Sequence, residues 1–201
     1  MSWIKIIPYE KAEGKLKKLY NRVKGPDNNV DNILSAHSLR PHSLEGHMVL
    51  YKNVLHHSNN TIPKWFLETI GVYVSMLNHC DYCVEHHFSG LKRLLDDAER
   101  RAAIRAGLEK NDYENLFDQR QILALDYARK LTESPGNMSE QDATQLKASG
   151  WSDGELLEIN QVTAYFNYAN RTVLGLGVTT DGDILGLSPN DNSDPDNWSH
   201  Q

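Results

Sequence analysis

The sequence is short of the features that mark several large classes of protein. It holds only two cysteines in 201 residues, too few for a disulfide scaffold. It has no basic surplus: 21 Lys and Arg stand against 27 Asp and Glu, a formal net charge of −6, so a nucleic-acid backbone finds no electrostatic footprint. No run of eighteen apolar residues occurs to span a membrane, and residues 1–10 lack the apolar core of a secretory signal. A Gly-x-x-x-x-Gly-Lys phosphate loop is missing too. The Gly175-x-Gly177 pair is not followed by the helix and acidic residue of a dinucleotide site. These absences predict a cytoplasmic protein that binds neither nucleic acid nor membrane and carries no cofactor. Cytoplasmic thiols stay reduced unless chemistry oxidises them, so a cysteine pair there points to catalysis or metal binding rather than to structure.

What is present is helical. Apolar residues make up 39% of the chain, enough for one core-forming domain, and they recur at steps of three and four rather than alternating. In residues 9–23, Leu16, Leu19, Tyr20 and Val23 share a stripe, closed by Gly25-Pro26. Further helices are expected over residues 43–57, 63–77, 80–95, 96–108, 119–133, 139–149 and 152–174. Residues 63–77 are apolar on nearly every face, as in a helix surrounded by protein, yet Glu68 sits among them. A carboxylate in such company is paired or has a shifted pKa, because an isolated buried charge is very costly. Helices 63–77 and 152–174 are apolar over more than one face, which predicts a dimer or larger homo-oligomer.

Residues 1–180 read as one helical domain and 181–201 as an acidic C-terminal tail. The tail holds five aspartates, two prolines and no Lys or Arg; without those acids the body has 22 acidic against 21 basic residues, a charge of −1. Its end is expected to be poorly ordered or draped over a neighbouring molecule.

The stretch that carries chemistry is Asn78-His79-Cys80-Asp81-Tyr82-Cys83-Val84-Glu85-His86-His87. A helix starting after the break at Asn78 would hold both cysteines in its first turn, where unpaired amides favour thiolate over thiol. Cys80 and Cys83 then share a face, and Cys83 and His87 lie one turn apart, so that the imidazole could accept the thiol proton. If the helices on either side of the break pack as an antiparallel hairpin, Glu68 could orient or protonate that imidazole.

Glu68, Cys80, Cys83 and His87 resemble the alkylhydroperoxidase-D-like (AhpD-like) and carboxymuconolactone decarboxylase superfamily, whose redox members carry Glu, Cys-x-x-Cys and His at this spacing. Residues 165–178 resemble the closing helix of its uncharacterised peroxidase-related branch, and the whole resemblance spans roughly residues 41–178. It implies an all-α AhpD-like helical bundle, with the Cys-x-x-Cys at the N-terminus of a central helix, assembled as a dimer or trimer of dimers. It also implies a thiol peroxidase of peroxiredoxin type. Cys83 would become a sulfenic acid, and Cys80 would protonate the leaving alkoxide and resolve the sulfenate as a disulfide. His87 and Glu68 would relay the proton, and an external dithiol, a lipoyl group or thioredoxin-like protein, would regenerate the pair. The chain departs from the best-characterised members at Tyr82, where they carry histidine, which leaves the relay incomplete or differently arranged.

Rival readings exist. Two cysteines and a histidine are three of the four ligands of a tetrahedral zinc, which would make the chain a zinc-stabilised helical binding module. A structural zinc site normally adds a second closely spaced pair, and none of His37, His42, His47, His56 and His57 is tied to another cysteine. A decarboxylase-like enzyme could use the acid and histidine alone as general acid and base, but such relatives usually lack the cysteines. A thioredoxin motif follows a strand, not a long helix. Glu68 alone could be a structural acid. His86 competes with His87, and His79 reads as a loop residue. His42, His47, His56 and His57 are expected near helix ends or on solvated faces. Asn167, Tyr168, Asn170 and Arg171 are assigned to neighbouring backbone or subunit contacts, outside the site.

Overall fold

Capping residues set where the helices begin. Asp118 and Ser152 each accept from the backbone N–H three residues on, while Gln121 and Glu155 reach back to the capping residues' own N–H groups. The computed structural model describes residues 2–189, 191, 193, 194 and 196–200. Among them are nine α-helices: α1 (Gly14–Val23), α2 (Asn32–Ala36), α3 (Pro41–Leu55), α4 (Lys64–Leu77), α5 (Asp81–Leu94), α6 (Ala98–Lys110), α7 (Gln119–Glu133), α8 (Glu140–Ala148) and α9 (Asp153–Leu176). The described residues form no β-strand, only isolated bridge contacts such as the antiparallel pair Pro189 with His200, so the chain is all-α as expected. No helix among them is long and apolar enough to cross a membrane.

The differences from sequence expectation are local. The helix expected from residue 9 starts at Gly14, because Gly14 takes a left-handed φ of 54° and leaves Tyr9–Lys11 as a separate 3-10 turn. The short α2 lacks a full apolar period and went unanticipated. At the other end, α9 stops at Gly177, whose φ of 61° makes the αL cap. A Cβ there would collide with the Trp3 indole, and the Trp3 N–H donates to the Leu176 carbonyl at 2.8 Å.

Helix α4 is the hub, packed by α5, α9 and α7, with α6 and α3 also against it. Its residues 66–75 are all buried. The expectation that α4 needs a second subunit to cover its apolar faces is therefore corrected: the chain's own helices cover them. On α9 the outer face does remain open, with Leu157, Tyr168 and Leu174 at 55%, 42% and 44% exposure.

The described part of the tail is held against the chain's own body. Trp198 is 1% exposed, with the Arg22 guanidinium 3.6 Å over its ring. Asp191 accepts from Lys64 at 2.6 Å and pairs with His56 at 3.1 Å. The acidity that set this segment apart in composition is what attaches it to Arg22 and Lys64.

Gly71 allows α4 and α9 to approach, since a Cβ there would overlap the Phe166 ring. Gly71→Ala should destabilise the protein by about 1–3 kcal/mol through overpacking, read as a lower urea midpoint; an unchanged midpoint would show that Phe166 relaxes freely.

Candidate functional site

The hydrophobic drive that buries α4 also buries Glu68, at 2% exposure. The α4–α5 hairpin supplies its partner: His87 Nδ1 lies 2.8 Å from Glu68 Oε2. Burial pushes the Glu68 carboxyl up, but the charge and hydrogen bond of His87 outweigh it and hold the group below the usual carboxylate range. Glu68 is thus ionised, and it fixes the imidazole by Nδ1 with Nε2 left for other work. Edge-on contacts from Phe166 and Tyr51, at ring-centroid distances of 4.5 and 6.1 Å, keep the ring in place.

The turn between α4 and α5 is tight. His79 takes a left-handed φ of 55°, as a loop residue can, and the Cys80 N–H donates to the Ser75 carbonyl at 2.9 Å. Cys80 is consequently the N-cap of α5 rather than a residue of its first turn, and Cys83 is the third residue of the helix. Both thiols are free and buried, at 0% and 2% exposure. Cys83 lines a small cavity of about 40 Å³ together with Glu68, His87, Tyr51 and Tyr165, whereas Cys80 lies behind it against Ala36, Val173 and Val178.

The two sulfurs are not equivalent as acids. The Cys83 thiol beside Cys80 lowers the Cys80 pKa, with help from the Cys83 main-chain N–H, while the same thiol–thiol contact and burial push Cys83 well up. Of the two, Cys80 is therefore the stronger acid and Cys83, the sulfur that faces the cavity, the weaker. This differs from the expectation that the helix N-terminus would favour thiolate on both. The cap position of Cys80 and the contact between the sulfurs give it most of that advantage.

Asn170 and Asn167 both take the neighbour-satisfying role expected of them. Asn170 is fully buried; its Nδ2 donates to Ser75 Oγ at 3.1 Å, and its Oδ1 accepts from Asn78 at 3.0 Å. It interrupts an apolar stripe through Val162, Phe166 and Val173, and a buried amide on such a stripe needs partners. Its amide also lies close enough to the thiols to favour thiolate on either sulfur. Asn167 bonds Thr132 and Asn78.

His56 is the C-cap of α3, at a helix end as expected, whereas His47 lies inside α3 and is buried rather than solvated. Their exposures are 1% and 3%, and burial lowers their pKa values to about 4 and about 3, so both are neutral. His47 lines the cavity beside Tyr165. The competition between adjacent histidines resolves into two pairs, His87 with Glu68 and His86 Nε2 with Asp183 at 3.0 Å. Tyr82 donates to the same Asp183 oxygen at 2.8 Å and so turns to the tail rather than to the thiols. Asp31 completes this wall, its carboxyl raised to about 7 chiefly by burial.

No protein-family model matches the sequence, and no curated protein matches it significantly. Solved structures do match. An uncharacterised peroxidase-related protein from Silicibacter sp. TM1040 is 23% identical, with a TM-score of 0.72 over 89% of this chain and 91% of that one. The alkylhydroperoxidase AhpD core of a peroxidase-related protein from Ralstonia eutropha JMP134 is 20% identical, with a TM-score of 0.74 over 89% and 91%. The debrominase Bmp8 is 16% identical, with a TM-score of 0.63 over 82% and 81%, and another of its structures holds 2,3,4-tribromopyrrole. The chain therefore has the AhpD-like fold.

Removing the Cys80 sulfur should free Cys83 from the contact that raises its pKa. In Cys80→Ser, the Cys83 pKa from the pH dependence of iodoacetamide alkylation should fall relative to wild type. A value equal to or above wild type would contradict this coupling of the two sulfurs.

Proposed function

We propose that the protein is a thiol peroxidase whose Cys80/Cys83 pair cycles between dithiol and disulfide. One observation carries this reading: a cavity-facing thiol, a second thiol behind it, and an imidazole fixed by a buried carboxylate on the cavity wall. The fold does not decide the reaction, since it also carries a debrominase.

Deprotonation of Cys83, with His87 Nε2 or the Cys80 thiolate taking the proton, gives the nucleophile. Its sulfur attacks the distal peroxide oxygen and the O–O bond breaks, forming Cys83 sulfenic acid. The proton passes to the leaving alkoxide, which departs as alcohol or water. Cys80 then attacks the sulfenic sulfur as thiolate, the S–O bond breaks, the departing hydroxide takes a proton from solvent and leaves as water, and the Cys80–Cys83 bond forms. An external dithiol returns two electrons and two protons. Access to the sulfurs is narrow, which suits a slender lipoyl arm better than a broad thioredoxin-like face. Homo-oligomerisation through the open face of α9 belongs to the same proposal.

The rivals fare less well. Among the described residues no three His, Cys, Asp or Glu side chains are grouped to hold a metal ion, so the zinc module has no assembled site there. A decarboxylase-like reaction would need Glu68 and His87 but leaves the dithiol unexplained.

Reduced protein treated with one equivalent of hydrogen peroxide should lose two hydrogens by mass, with peptide mapping placing the bond between Cys80 and Cys83. Cys83→Ser should consume peroxide at least 100-fold more slowly. Unreacted thiols, or a wild-type rate in Cys83→Ser, would contradict the proposal.

A further inference from the structure

Helices α4 and α5 line one side of the Cys83 cavity, α3 with α9 a second, and Asp31, Ile33 and Leu34 at the start of α2 a third; the last comes from the C-terminal segment, through Gly186, Leu187, Ser188 and His200. This segment is held to the site at its entry, its crossing and its far end.

At the entry, the Asp183 side chain is 2% exposed and works as a three-way acceptor. It takes Tyr82 Oη–H at 2.8 Å, His86 Nε2 at 3.0 Å and the Asn32 N–H at 3.0 Å, which ties the segment to the second and sixth residues of α5 and to the start of α2. At the crossing, Gly186 takes a φ of 80° and lies on the α5 backbone, where a Cβ would stand 2.8 Å from the Ser89 carbonyl carbon and 3.0 Å from the Gly90 nitrogen. Gly90 in turn packs over Glu68, since a Cβ there would touch Glu68 Oε1 at 3.8 Å. The strap therefore passes directly above the Glu68–His87 pair. At the far end, Asp191 holds Lys64 and His56, and Asp196 accepts from Arg22 at 2.9 Å.

The consequence is a matter of volume. The cavity over Cys83 measures about 40 Å³, against roughly 150 Å³ for an apolar cavity that holds a benzene ring. Hydrogen peroxide fits within that limit. An aromatic hydroperoxide, with an aryl ring and branched carbon behind its O–O bond, exceeds it several-fold. Resting on the peroxidase reading for the chemistry alone, we propose that the C-terminal strap is the specificity element of the site: pinned by Asp183 and Gly186, it restricts Cys83 to hydrogen peroxide and the smallest hydroperoxides.

Steric gating can be read without any peroxidase turnover. Reduced protein is alkylated with iodoacetamide and with a fluorescein-sized maleimide, and Cys83 labelling is quantified by peptide mapping relative to free cysteine. The wild type should favour the small reagent at least 100-fold. Gly186→Val, which lifts the crossing, and Leu187→Ala, which removes a lining side chain but leaves both pins, should each cut that preference at least 10-fold, with helical content unchanged by circular dichroism. The same proteins are then oxidised with hydrogen peroxide and cumene hydroperoxide, and the selectivity should shift in parallel. A bulky reagent that labels wild-type Cys83 as fast as the small one overturns the proposal, whatever the variants do. So does an unchanged preference in Leu187→Ala. If alkylation is gated as stated and neither hydroperoxide oxidises the thiols, the strap stands as the gate and the peroxidase reading falls.

Discussion

The hydrogen bond between Glu68 and His87 is the constraint around which the site is arranged. A carboxylate in the middle of the most buried helix is costly unless it is neutralised, and only an antiparallel partner helix can bring an imidazole to it. The turn at His79 makes that hairpin, and the hairpin puts Cys80 at the helix cap and Cys83 on the cavity wall. Breaking a buried pair by deleting one partner typically costs about 3–5 kcal/mol. Stability and chemistry thus depend on one contact.

A second feature follows from the same hairpin. Two thiols forced together at a helix start do not ionise independently: the contact lowers the pKa of Cys80 and raises that of Cys83, the sulfur that faces the cavity. On the peroxidase reading, Cys83 would have to lose its proton before it attacks, and Cys80, the stronger acid, would suit the resolving step. Asn170 lies beside both sulfurs from α9, and the Asp183–His86–Tyr82 group joins the same N-terminal half of α5 to the strap.

Much of this was legible in the sequence, because its determinants are local. The three- and four-residue apolar period located eight of the nine helices among the described residues, within a few residues at their ends. The spacing of Glu68, Cys80, Cys83 and His87 required only a helix, a turn and a helix to bring the acid and imidazole together. What escaped was non-local. Asp183 is nearly one hundred residues from Tyr82 and His86 in the chain, and composition alone made its segment look like solvated tail. His47 and His56 are polar residues whose burial depends on which helix covers them, and nothing in their neighbours announces that.

The central claim is that the Glu68–His87 pair activates the cavity thiol. It is tested most directly by the second-order rate constant for hydrogen peroxide with reduced protein, measured by stopped flow at neutral pH for wild type and Glu68→Gln. The glutamine preserves size and can still accept from Nδ1–H, but it removes the charge. The account predicts a constant lower by roughly 100-fold with thermal unfolding still cooperative; equal constants in the two proteins would contradict it.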